Sequence, residues 1–194
     1  MNQAVLDFMA SRTSAPIHEL AAPGPDDAQI AAMLTLAARV PDHGRLEPWR
    51  FILYRGQARI RIGEMLAARL AILKGGLTPG EREKELERFS RAPLVIGVVS
   101  SPKDNPKIPQ WEMLLSAGAA AMNLLIAANA AGFGANWITN WYADDAESRA
   151  FLGMAPHERA AGFVHVGNHS GPVADRPRPI VANLVSEWQG PWAG

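Results

Sequence analysis

The 194-residue chain contains no cysteine, and that absence removes a whole set of chemistries. Disulfides, a thiolate nucleophile, an iron–sulfur cluster and every cysteine-ligated zinc site are excluded. Net charge is missing as well, because 19 basic residues cancel 19 acidic ones. No overall field draws the chain to nucleic acid or to an anionic membrane, so any anion recognition has to be local. Several signatures of catalytic and nucleotide sites are also lacking. No Gly-x-Gly-x-x-Gly follows an apolar strand pattern, no P-loop occurs, the two histidines four positions apart, His165 and His169, flank a strand end and turn and make a poor metal site, and no serine sits in a nucleophile elbow. The first residues lack the charged and apolar regions of a secretory leader, so the expectation is mature, cytoplasmic sequence.

What is present is a chain long enough for a full core, expected to form one domain over 1–194. Residues 2–10 have the pattern of a short amphipathic helix. A second helix is expected to open with Pro25 at its first position and Asp26 and Asp27 in its positive first turn. Trp49–Tyr54 has the composition of a strand, 57–73 of a helix, and Pro79–Arg91 of a charge-dense, exposed helical segment. Leu94–Ser100 is an almost unbroken apolar run, the pattern of a strand covered on both faces at the centre of a sheet. Met113–Ala131 carries no charge and is long enough to span a bilayer. Its alanines, Ser116, Asn123 and Asn129, and its lack of basic flanks instead predict a buried helix. Strands at Asn136–Trp141 and Gly162–Val166 flank a short helix at 144–152. The tail from Ile180 ends in two tryptophans that need a covering surface. Helices and strands mix without regular alternation, which predicts an α+β fold with helices around one central sheet.

Chemistry-bearing residues concentrate in four places. Residues 39–51, Arg-Val-Pro-Asp-His-Gly-Arg-Leu-Glu-Pro-Trp-Arg-Phe, form a proline-stiffened loop leading into a strand. Arg39, His43 and Arg45 offer donors suited to a phosphate or an electron-rich heterocycle, although solvated arginines on an ordinary connection have the same pattern. Arg12-Thr13-Ser14 follows the first helix and could simply cap it. Trp137-Ile138-Thr139 lies in a strand, where a tryptophan is more often core than cofactor platform. Arg176-Pro-Arg178 lies near the end.

The order and spacing of these clusters resemble the nitroreductase family, in particular its short, YdjA-like branch. Arg12-Thr13-Ser14 is similar to the family's N-terminal flavin motif, and Arg39-Val-Pro-Asp-His43 through Pro48-Trp49-Arg50-Phe51 to the loop and strand of the short branch. Lys107-Ile-Pro-Gln-Trp111, Ser116-Ala-Gly and Gly132-Phe-Gly134 through Trp137 extend the likeness over most of the chain. The resemblance implies a central mixed or antiparallel sheet surrounded by helices, in an intertwined homodimer with FMN at the subunit interface. Arg12, Thr13 and Ser14 would contact the flavin together with Trp137, Ile138 and Thr139. Arg39 and His43 would reach in from the partner. A guanidinium at the ring edge would stabilise the negative charge gained on reduction, and a remaining arginine or histidine, with help from Arg178 and Arg176, would neutralise the phosphate. The implied activity is that of an NAD(P)H nitroreductase, in which NADH or NADPH and a nitroaromatic, quinone or similar small acceptor react in turn, with no side chain as catalyst. Two other classes stay open: a flavin-binding carrier or sensor without turnover, and an interaction protein whose apolar helix serves dimerisation alone. Two departures from larger relatives stand out: Pro16 and Glu47 occupy positions where those commonly carry a basic residue and a glutamine.

Overall fold

In a computed structural model that describes residues 1–191, four strands form one antiparallel sheet: β1 (Trp49–Arg55), β2 (Leu94–Ser100), β3 (Gly134–Ile138) and β4 (Arg159–Gly167), in the order β1-β2-β4-β3. β2 is interior, paired with β1 and β4, so that Ile96 lies between Leu53 and Val164. Every residue of β2 is buried, as its unbroken apolar run predicts.

Among the described residues six α-helices surround the sheet: α1 (Gln3–Ser11), α2 (Asp27–Ala37), α3 (Gln57–Lys74), α4 (Pro79–Leu86), α5 (Gln110–Ala130) and α6 (Ala146–Phe151). On one face α2 and α5 cover Leu94, Ile96, Val98, Ala135, Val164 and Val166. On the other, Tyr54, Leu66, Phe89, Tyr142 and Phe163 enclose Val95 and Val99. Burial of each large side chain here contributes about 1.5–3 kcal/mol. The long uncharged helix, α5, packs on α2 and touches all four strands, as its alanine-rich surface allows.

Several boundaries differ from the sequence expectation for identifiable reasons. Pro25 lies before α2, not in it: Asp26 is the N-cap and exchanges hydrogen bonds with Gln29 in a capping box. β3 starts at Gly134 and stops at Ile138, because Asn140 turns the chain into a short 3-10 turn at Trp141–Ala143. β4 begins at Arg159 and passes through a bulge where Val98 and Val99 pair on either side of Ala161. At that irregularity Gly162 has φ 152°, and a Cβ there would lie 2.0 Å from Nε1 of Trp137. The segment expected to be exposed at 79–91 is only partly so. Glu85 is buried, accepting from Trp141 Nε1 at 3.1 Å and pairing with Arg88 at 2.7 Å.

α1 and the tail leave large apolar side chains in solvent, among them Met9, Ile180, Leu184 and Val185. Trp188 is 84% exposed, and the second tail tryptophan, Trp192, lies outside the described residues.

Candidate functional site

The loop between α2 and β1 is held at both ends by α5. The Ser116 hydroxyl donates to the carbonyl of Pro41 at 2.6 Å and accepts from Trp49 Nε1 at 3.0 Å, while Asn123 donates to the carbonyl of Arg39 at 2.9 Å. Within the loop Asp42 accepts the backbone N–H groups of Leu46 and Glu47 at 3.0 and 2.9 Å. Those bonds support two non-glycine residues in the left-handed region, Arg45 at φ 53° and Glu47 at φ 48°. Each such residue costs on the order of 1–2 kcal/mol. The β1 end is fixed by Arg50, which forms a two-pronged bond with the buried carboxylate of Glu158 at 2.7 and 2.6 Å and donates to the carbonyl of Gly153. The Arg50 hydrogen bonds hold the Glu158 carboxyl down at about 2 in spite of its burial.

This rigid loop walls a cavity of about 500 Å³, shared with α5 and Ile108. Its surface is mostly apolar, from Pro41, Pro48, Ile108, Met113 and Leu115. His43 and Glu112 supply a polar pair on the wall, with Nδ1 2.7 Å from Oε1.

A second group of predicted residues gathers at the opposite end of α5. Arg12 ends α1, its backbone N–H bonded to the carbonyl of Phe8, and its Nη1 is buried without any partner among the described residues. The next residues dock on the outer edge of β3: Ala15 N–H donates to the carbonyl of Ala135 at 3.1 Å, and Asn136 Nδ2 donates to the carbonyl of Ala15 at 2.7 Å. Thr13 lines a cleft with Asn129, Gly132, Phe133, Gly134 and His169. Arg12-Thr13-Ser14 and the strand carrying Trp137 and Ile138 are thus brought together. The Trp137 side chain is mainly structural there, packed against the core and donating to the carbonyl of Ala161 at 3.2 Å. Ile138 is half-buried and Thr139, just past the strand, is exposed.

Neither residue of the loop lines that cleft: Arg39 is exposed, its carbonyl bonded to Asn123, and His43 sits at the Glu112 end of α5. Glu112 and Asn129 stand seventeen positions apart on α5, which is about 25 Å of helix, so the His43 wall and the Thr13 cleft are too distant to touch one ring within a chain. Arg178 is exposed and paired with Asp175, its Nε 3.2 Å from Oδ2. Sequence reasoning missed Glu112 and Asp42 as parts of the site. Glu112 lies 69 positions from His43, and no local pattern signals a pair formed by docking a loop on a distant helix.

Comparison with known proteins identifies the family and the fold. The model of the Nitroreductase family matches residues 19–168. An Escherichia coli K12 protein named "Putative NAD(P)H nitroreductase YdjA" is 32% identical over 166 residues, covering 84% of this chain and 86% of its own length. A Haemophilus influenzae protein named "Putative NAD(P)H nitroreductase" is 34% identical over 152 residues, with 77% and 80% covered. The crystal structure of a nitroreductase-like family protein from Bacillus cereus has the same fold, with a TM-score of 0.80 at 20% identity over 96% of both chains. A nitroreductase with bound FMN from Bacteroides fragilis gives 0.70 at 19% identity over 95% of this chain and 98% of that one. With three quarters of its length matched by the family's model and relatives about one-third identical over most of their own lengths, the chain belongs to the nitroreductase family.

Proposed function

We propose that this protein is an FMN-dependent NAD(P)H oxidoreductase that works as a homodimer, with each flavin held between subunits. The observation that carries the reading is Arg12. Its Nη1 is buried and has no partner among the described residues, and a desolvated guanidinium nitrogen without an acceptor costs about 1–3 kcal/mol or more. An anionic or carbonyl-rich ligand at the α1–β3 junction would remove that cost. The relatives' names speak of NAD(P)H, and the Bacteroides fragilis structure contains FMN, which supports the same identity for the ligand here.

A bound flavin would supply reversible two-electron chemistry that no side chain in this cysteine-free chain offers. The protein's part is to hold and orient. Arg12 would meet the flavin with a charge-assisted bond, Thr13 and Ser14 would add hydroxyls, and residues 137–139 would offer backbone groups beside it. His43, at the far end of α5 in the same chain, and Arg39, exposed beside Asn123, would serve the flavin of the partner. Exposed apolar residues on α1 and the tail support a covering subunit. NAD(P)H and an acceptor such as a nitroaromatic or a quinone would occupy the open pocket in turn, in a two-step scheme suited to a cytoplasmic supply of NAD(P)H.

The test is the visible spectrum of freshly purified protein, followed by stopped-flow mixing with NADH and with NADPH under anaerobic conditions. A flavin spectrum that bleaches and returns when an acceptor is added is the expected result. Retained flavin without bleaching by either donor would leave a carrier or sensor, and colourless protein that takes up no FMN would refute the cofactor.

A further inference from the structure

We propose that Glu112 positions His43 so that its Nε2 bonds the ring or sugar-chain part of a flavin, and that the cavity they share does not hold the flavin's phosphate. The proposal rests on the flavin reading above and reassigns the role that the cationic look of residues 39–45 suggests.

Glu112 lies in the first turn of the 21-residue helix α5, its carboxylate directed at His43. An ionised carboxylate only accepts, so Nδ1, 2.7 Å away, has to carry the proton of that bond. Nε2 is then the one ring nitrogen left, and it makes no hydrogen bond among the described residues. The contact thus selects a tautomer and a ring orientation together, in the way a carboxylate orients an imidazole at other sites.

The charge on the wall argues against phosphate. Asp42 and Glu112 contribute two carboxylates, and His43 contributes at most one positive charge, already opposed by Glu112. Arg39 and Arg45 belong to the loop but are not among the residues lining the cavity. A phosphate monoester of charge about −1.5 to −2 would meet net repulsion there. Pro41, Pro48, Ile108 and Met113 instead suit a flat heteroaromatic body, and a cavity of about 500 Å³ is of ordinary ligand-binding size. Phosphate binding falls to the unpaired guanidinium of Arg12 or to other arginines outside this cavity.

FMN and riboflavin differ only in the phosphate, so the pair separates the two roles. Dissociation constants for both are measured by flavin fluorescence on wild-type protein, His43→Ala, Glu112→Ala and Glu112→Gln, with circular dichroism to confirm folding. Both alanine variants are expected to weaken FMN and riboflavin by the same factor, roughly five- to tenfold, leaving the riboflavin-to-FMN ratio unchanged. Glu112→Gln, which keeps an acceptor oxygen, should recover most of the loss. Nitrogen-15 NMR should show the Nδ1–H tautomer of His43 in the wild type and a shift towards Nε2–H in Glu112→Ala. A loss confined to FMN in His43→Ala, or a tautomer unmoved by Glu112→Ala, overturns the proposal alone. Wild-type protein that binds neither flavin overturns the flavin reading and this proposal with it.

Discussion

His165 shows how far one side chain can depart from its solution chemistry. It lies on β4 in the aromatic core, fully buried, its ring 6.1 Å from that of Phe89, with neither nitrogen hydrogen-bonded among the described residues. Desolvation, with a smaller contribution from the nearby Arg91 charge, pushes its pKa down to about 4. The unfolded chain takes up this proton near 6.5, well before the folded protein does. The resulting stability is full above about pH 6.5 and is lost as pH falls towards 4. Between pH 7.5 and 4.5 the linkage amounts to about 2–3 kcal/mol. Urea unfolding at those two pH values should show wild-type protein losing that much more than His165→Leu. Equal losses in both proteins would mean that His165 is not held neutral in the fold. The Arg12 Nη1, buried without a partner among the described residues, is the opposite case at this scale, a guanidinium nitrogen that the proposed flavin would satisfy.

At the scale of elements, α3 and α4 meet at a glycine whose role no local pattern reveals. A Cβ on Gly63 would lie 2.1 Å from the backbone carbonyl oxygen of Leu86. That oxygen belongs to the end of α4, so the helix would have to move, and with it Glu85, which holds Arg88 and Trp141. Gly63→Ala gains about 1 kcal/mol in helix propensity, but overpacking typically costs about 1–3 kcal/mol, and contact with rigid backbone lies at the upper end. The net effect should be a lower melting temperature. Gly80→Ala, on α4 with nothing within 4 Å of its added Cβ, should be neutral or stabilising in the same measurement. An unchanged melting temperature in Gly63→Ala would rule out this packing. Most helices and strands are nonetheless readable from the sequence, because periodicity and caps are local properties: β2 is apolar throughout, and α4 carries its Thr78–Glu81 capping box in sequence. Tertiary contacts decided the rest. Glu85 looks solvated until Trp141, 56 residues later, is folded against it, and β3 ends early because Asn140 caps the next turn.

Over the whole molecule, the parts of the candidate site that sequence order reveals are the ones carried by short motifs: Arg12 to Ser14 beside β3, and His43 in a stiff loop. The division between them is invisible in sequence, since it depends on α5 lying between the two groups with Glu112 at one end and Asn129 at the other. That geometry makes a flavin site shared between subunits directly testable. In a heterodimer of one Arg12→Ala and one His43→Ala chain, a shared arrangement puts both lesions into one pocket and leaves the other intact. If each pocket instead drew both residues from one chain, every pocket would carry one lesion. Differently tagged chains can be coexpressed, and the heterodimer isolated by sequential affinity steps. Its flavin content can then be measured at a concentration between the dissociation constants of wild type and variants. The shared site predicts about one flavin per heterodimer, against far less in either parental homodimer. Recovery no greater than the mean of the parents would show that Arg12 and His43 serve the same chain's pocket.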